Sequence, residues 1–266
     1  MLGKLIKYDL KNAARIFLLV HGIYLIICII LRLLVMNPLD FSAPSRLLIT
    51  PLTLIVVLFI FLLTAMTLTT SLLIALRFYR NLFSKEGYLS WTLPAAPSTH
   101  LLAKFLSGYL IAAADIIIIA AGILVLVTGS NVADAYRQIA PDMEKVLGIT
   151  LGSYALKLFL FTVIFTFTSI VQIYFCIALG QLFQEHRVLL AIAFYFLAGF
   201  GVQILTTSLL LITGLIRPQM FADSYSFNMG RYTDILYLIT GILSIILAVI
   251  EYMVTNYIMK RKINLI

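Results

Sequence analysis

RFYRNLFSKEGYLSWTLPAAPSTHLLAK, residues 77–104, decides how the rest of the chain is read, because it joins a cluster of cations to a cluster of aromatic rings. Arg77, Arg80, Lys85 and Lys104 face a single acid, Glu86, while Phe78, Tyr79, Leu82, Phe83, Tyr88, Leu89 and Trp91 supply apolar surface. Helical spacing from 77 to about 85 puts Phe78, Leu82 and Lys85 on one side with Tyr79 and Phe83 beside them, and Gly87 permits a turn. Pro94 and Pro97 bar further helix until Ser98 or Thr99 caps the next one. A protruding segment of this kind suits a protein partner. A helix lying at headgroup depth, where Tyr and Trp are enriched, explains the same residues equally well.

On either side the chain is overwhelmingly apolar. Of its 266 residues 62% are hydrophobic and 11% charged, with a formal net charge of +8. Globular domains run at roughly half apolar and a quarter charged, so an all-α integral membrane protein is expected. Crossing the hydrocarbon takes roughly 20 apolar residues per helix. Runs of that order recur at about 16–36, 48–76, 105–128, 148–179, 188–216 and 235–258, which predicts six spans within one transmembrane domain covering 1–266. The second, fourth and fifth runs exceed the need and must tilt, kink or project, with Pro51 marking a bend in the second. Cys28 and Cys176 fall inside these runs, where a thiol behaves as a small hydrophobe, so no disulfide framework is expected.

Before the first span, MLGKLIKYDLKNAAR spaces Lys4, Lys7, Lys11 and Arg15 along one helical stripe, with Leu2, Leu5, Ile6, Leu10 and Ala13 opposite. The pattern predicts an amphipathic elbow helix over 1–15, lying in the headgroup plane against anionic lipid and turning into the membrane at Ile16. Asp9 falls on the apolar side and needs a partner, with a cation of the Arg77 stretch as one candidate. A secretory signal is not expected here, since the apolar run is too long and lacks a small-residue cleavage site.

Cations set the orientation. They collect before the first span, in 77–104, at Arg187, and at Lys260, Arg261 and Lys262. The alternate loops hold only Arg46, Arg137, Lys145, Arg217 and Arg231, beside Asp40, Asp134, Asp142, Glu144, Asp223 and Asp234. Both termini and the 77–104 loop are therefore expected in the cytoplasm. This positive charge suits anionic lipid, and no nucleic-acid partner is expected. The loop before the last span, RPQMFADSYSFNMGRYTD, is amphipathic enough to dip into the outer leaflet, and an ordinary ordered loop explains it as well.

No GxxxxGK[ST] phosphate loop occurs, so any ATP must be hydrolysed by another subunit. HExxH and paired-carboxylate motifs are absent too, which leaves no candidate catalytic, cofactor or metal residues. His21 is expected as an interfacial side chain, and His100 and His186 as solvated loop histidines. Three charges lie deep in spans: Asp115, Lys157 and Glu251. Ionisable groups in hydrocarbon are expensive and point to function, although a buried Asp115–Lys157 pair that staples helices is the plainer expectation. Glu251 lies nearer the tail, within reach of a basic loop. Thr64, Thr67 and Ser71, and likewise Thr162, Thr166 and Ser169, form hydroxyl stripes at helical spacing, expected to satisfy backbone carbonyls or allow close helix packing rather than line a polar path.

Taken together, the basic N-terminal helix, the six spans, RFYRNLFSKEGYLSWTLP after the second span and the tail MKRKINLI resemble the permease subunits of bacterial type-2 ABC exporters. In those proteins an RFY.NLF..EGYL..TLP pattern follows the second span. The likeness in pattern covers the whole chain, and its specific part is residues 77–94. The resemblance implies a cytoplasmic coupling helix that inserts into a separate P-loop ATPase subunit, with Phe78, Tyr79, Arg80, Leu82, Phe83, Glu86, Gly87 and Tyr88 as the contact. It implies as well a dimer with a second copy or paralogue in the bacterial cytoplasmic membrane, the first, second and fifth spans lying nearest the interface. Trp91 departs from the smaller apolar residue expected at its position. The competing function is a self-sufficient transporter or channel in which Asp115, Lys157 and Glu251 bind ions or relay protons. A membrane-embedded enzyme ranks third, for want of a nucleophile or base.

Overall fold

The computed structural model describes residues 1–39, 46–214 and 229–261. Asp40, Arg217, Asp223 and Lys262, and with them most of the loop expected to dip into the outer leaflet, lie outside the described residues. The described chain is helical, with no strands: α1 (Leu2–Leu31) with a π-helical turn Arg32–Met36, α2 (Arg46–Phe83), α3 (Gly87–Trp91), α4 (Pro97–Val127), α5 (Ser130–Leu147), α6 (Leu151–Gly180), α7 (Arg187–Ile212) and α8 (Met229–Arg261). Among the described residues six helices are long and apolar enough to cross a membrane: Leu2–Met36, Thr50–Phe83, Pro97–Val127, Leu151–Gly180, Arg187–Ile212 and Tyr232–Arg261. The expected number and order of spans therefore stand, and the chain has the form of a multi-pass membrane protein.

Boundaries differ for identifiable reasons. The elbow expected at Ile16 has no break, because no proline interrupts residues 2–31 and the helix runs on through the basic stripe into the first span. Likewise α2 continues to Phe83 instead of ending near 76, since Arg77, Arg80 and Asn81 change polarity without disturbing helical backbone. α4 starts at Pro97 rather than behind a Ser98 or Thr99 cap, the amides of Thr99 and His100 both donating to Ala96 O. Proline suits a first helical position, where its missing N–H costs nothing.

The external loop expected between the third and fourth spans holds an 18-residue helix, α5. Its end is written locally. Gly148 adopts φ 68° and donates its N–H to Glu144 O at 2.8 Å, a left-handed stop that glycine tolerates best. Glu144 Oε1 accepts the N–H of Leu151 at 3.0 Å, and the Thr150 hydroxyl accepts from Ser153 N, so α6 starts with its first amides satisfied.

The chain divides into two compact units. One comprises Gly3–Ile74 and Leu106–Pro141. Within it α1 and α4 run side by side in the same direction, joined by polar contacts whose partners lie 94 to 98 positions apart throughout. Alternate spans must cross in the same direction, so this pairing fits spans one and three. Tyr24, Cys28 and Met66 are buried there against Val20, Phe59, Leu62, Ile118 and Ile119. Gly122 is what lets Tyr24 in, because a Cβ at 122 would overlap its ring.

The other unit comprises Met1–Leu2, Ala75–Phe105 and Asp142–Ile266. Here α6 packs along both α7 and α8. Phe161 stacks on Tyr237 at 4.5 Å, and Phe105 meets Phe167 edge-on at 4.8 Å. Gly180 admits the carbonyl of Arg187, which a Cβ would approach to 2.6 Å, so α7 can turn back at once. Lipid tails are as apolar as side chains, and close packing of this kind carries the stability that hydrophobic burial supplies in water.

Gly122→Ala is expected to destabilise the protein by about 1–3 kcal/mol through overpacking against Tyr24. Gly152→Ala, where a Cβ meets nothing within 4 Å, is expected to be neutral or slightly stabilising. Thermal melts of the two variants in one detergent check the contrast.

Candidate functional site

Residues 77–94 fold as a helix end, a turn and a short second helix. The Ser84 hydroxyl donates to Arg80 O at 2.6 Å and accepts from Glu86 N, and Gly87 N donates to Ser84 O at 2.8 Å. Gly87 packs so closely on α2 that a Cβ would sit 2.8 Å from the carbonyl carbon of Leu82, which explains why a glycine precedes the Tyr88–Leu89 pair. Trp91 Nε1 donates to Leu82 O at 2.9 Å, satisfying one of the carbonyls a helix end leaves open. The large residue that broke the expected pattern thus pins α3 to the end of α2. Arg80 and Glu86 form an exposed 2.5 Å ion pair across the turn, worth no more than about 1 kcal/mol.

The aromatic residues sort into a base and a surface. Phe78 is fully buried, stacked on Tyr174 of α6 at 3.9 Å and edge-on to Phe83 at 5.5 Å. The Tyr174 hydroxyl donates to Lys104 O at 2.9 Å, which ties α6 to the start of α4. Leu82 and Phe83 are buried as well, Phe83 being 4% exposed, whereas Tyr88 and Leu89 are 66% and 71% exposed. Of the eight residues expected to touch a partner, Arg80, Glu86 and Tyr88 are exposed and Tyr79 half-buried, while Phe78, Leu82, Phe83 and Gly87 support them from beneath. Leu89 and Leu93, missing from that set, are exposed beside them.

A second site lies inside the unit built on α1 and α4. His21 Nε2 approaches Asp115 Oδ1 at 2.6 Å, with side chains 3% and 6% exposed, and Thr70 of α2 donates its hydroxyl to the same oxygen at 2.9 Å. His21 Nδ1 lies 2.8 Å from Phe17 O, an acceptor only, so Nδ1 carries a proton. A further proton must lie between Nε2 and Oδ1, since two lone pairs would repel at that distance. Around this node Asp9 Oδ2 accepts from the Ser107 hydroxyl at 2.5 Å, Tyr24 donates to Ile119 O, Arg32 to Leu126 O, and Asn131 to Met36 O and Leu39 O.

These contacts correct the expected Asp115–Lys157 pair. Asp115 is held by His21 and Thr70, and Lys157 instead meets Asp234 of α8 at 2.6 Å, where both side chains are more than one-third exposed. His21, expected at the interface, is buried. The cost of burying Asp115 is what recruits it, since a carboxylate without a partner could not stay charged there. Arg32, inside the first apolar run, was legible by the rule that singled out Asp115; Thr70 and Asn131 carry no comparable signal. Glu251 is half-buried on α8. Thr64, Thr67, Thr162 and Ser169 donate to carbonyls of their own helices, as the hydroxyl stripes led one to expect. Among the described residues no group of three or more His, Cys, Asp or Glu is arranged to hold a metal ion. No protein-family model, curated protein or solved structure matches this chain.

Removing His21 strands a buried carboxylate, whereas removing Asp115 leaves an imidazole that can be neutral and still donate to Phe17 O. His21→Leu is therefore expected to destabilise by roughly 3–5 kcal/mol, Asp115→Leu by less, and the double variant to recover most of the loss. Lys157→Gln is expected to cost about 1 kcal/mol or less, because its pair is exposed. Fluorescence-detected melting of the five proteins, wild type included, tests the ranking.

Proposed function

We propose that the chain is the membrane-spanning permease subunit of an ATP-driven exporter of the bacterial cytoplasmic membrane, acting as a dimer and driven by a separate P-loop ATPase. The observation that carries this reading is the exposed Tyr88–Leu89 surface held rigidly over the buried Phe78–Phe83–Tyr174 base. A hot spot needs an aromatic or aliphatic anchor presented on a stiff support, with polar groups at its rim. Tyr88, Leu89 and Leu93 supply the anchor and Arg80 and Glu86 the rim. Pushed by the ATPase, the turn would transmit force through Phe78 to α6 and through the continuous helix to α2. The cations of the Arg77 stretch and of both chain ends orient this surface to the cytoplasm. Lys4, Lys7, Lys11 and Arg15 are exposed on the first turns of α1, placed for anionic headgroups on the same side.

The alternative, a self-sufficient transporter or channel, draws on one observation: the His21–Asp115–Thr70 node places two ionisable side chains in hydrogen-bond contact among apolar helices. Its requirement is transport by the reconstituted chain without ATP, which the exporter reading forbids.

Tyr88→Ala and Leu89→Ala are expected to leave the permease folded and to weaken retention of a co-expressed P-loop ATPase, about 2 kcal/mol or 30-fold for the dominant anchor. Transport is expected to fall in parallel. Phe83→Ala is expected instead to lower the amount of folded permease, because it empties the base. Unchanged ATPase recovery and transport in both surface variants at matched membrane levels would refute the coupling role.

A further inference from the structure

The helix between the third and fourth candidate spans has a face that no described residue covers. On α5, Val132, Tyr136, Ile139, Met143 and Val146 recur at spacings of four, three, four and three, which aligns them in one stripe. Tyr136, Ile139, Met143 and Val146 are 44% to 63% exposed, high for large apolar side chains sharing one face. Arg137, Gln138, Glu144 and Lys145 occupy the opposite arc, together with Asp134. Pro141 also falls on that polar side, where the Arg137 carbonyl it leaves unbonded can face solvent.

We propose that α5 is an interfacial helix whose apolar stripe lies in the headgroup–acyl boundary of the membrane that α4 and α6 cross. Its tethers argue for this occupant. Two residues join α4 to α5 and three join α5 to α6, so neither end can move more than about 15 Å from the end of a span. Consecutive spans end on the same membrane face, and a helix of 18 residues, about 27 Å long, held there at both ends must lie along that face. The stripe belongs to a single helix and is small beside the roughly 800 Å² per partner of a stable protein interface, which disfavours a second copy.

The charges refine the occupant. Asp134 pairs with Arg137 at 3.1 Å and Asp142 with Lys145 at 3.2 Å, while Glu144 accepts from Leu151 N. With its cations paired and three carboxylates against two bases, α5 has no pull toward anionic lipid. It is held by apolar insertion, with Tyr136 at the depth where aromatic hydroxyls favour the interface. The inference rests on the spans alone and is independent of the exporter reading.

The test places a nitroxide at Ile139→Cys, Val146→Cys, Arg137→Cys and Lys145→Cys, one at a time, in the full chain reconstituted into phosphatidylcholine vesicles and into vesicles with added phosphatidylglycerol. Native Cys28 and Cys176 are at most 1% exposed, and the chain without an added cysteine gives the background. The ratio of collisions with oxygen to collisions with a water-soluble nickel chelate is expected to be several-fold higher at 139 and 146 than at 137 and 145, in both lipids alike. Equal ratios on the two faces would overturn the proposal by making α5 a solvated helix. Labels at 139 and 146 shielded from both reagents would overturn it in favour of a protein partner, and a ratio that rises only with anionic lipid would overturn the apolar mode of binding.

Discussion

A carboxylate among apolar helices must be matched at its own depth, and Asp115 imposes that constraint on the unit built from α1 and α4. His21 and Thr70 answer it from two other helices, so three elements are bound to one oxygen atom. Because Asp115 can be satisfied in only one register, the pair sets how α1 slides along α4. The flanking contacts then fall in line, from Asp9 with Ser107 at one end to Asn131 with the Met36 and Leu39 carbonyls at the other. Buried polar contacts between membrane helices are worth only about 0.6 to 2 kcal/mol each, so these contribute mainly through their number and common register. Specificity of register is a well-attested use of buried polar groups.

The turn after α2 answers a different problem: presenting apolar surface without letting it collapse. Phe78, Leu82 and Phe83 point inward and are consumed by the protein's own packing, and Gly87 lets α3 fold back against the Leu82 backbone. Trp91 closes the motif through its indole N–H. What remains exposed, Tyr88 and Leu89, is held in place by the buried side chains beneath it. On the proposed coupling role, a rigid display of this sort would lower the entropy lost on binding, and the supporting residues would matter as much as the displayed ones.

Much of the architecture is legible in the amino-acid sequence. The six apolar runs are the six candidate spans, because length and hydropathy suffice to say that a segment suits hydrocarbon. Residues 77–94 stand out by mixing cations with aromatic rings. Helix ends are less legible. A run of cations looks like a loop in a hydropathy pattern, yet the backbone of α1 and α2 passes straight through it, since solvated Lys and Arg are good helix formers. α5 is hidden for the converse reason: its period is helical, but it is too polar to register among spans.

Sequence by itself determined that this chain carries six apolar runs of spanning length, that Asp115 needs a partner, and that the stretch around Phe83 is its distinctive feature. Those are properties of composition and local spacing, and solvent partitioning reads them directly. Only tertiary structure decided which partner Asp115 takes, that Lys157 turns to Asp234, and that Phe83 lies beneath the surface while Tyr88 and Leu89 form it. The physical reason is that an aromatic or charged side chain carries no mark of direction. Where it points follows from which helices stand beside it, and that depends on contacts between residues as far apart as His21 and Asp115.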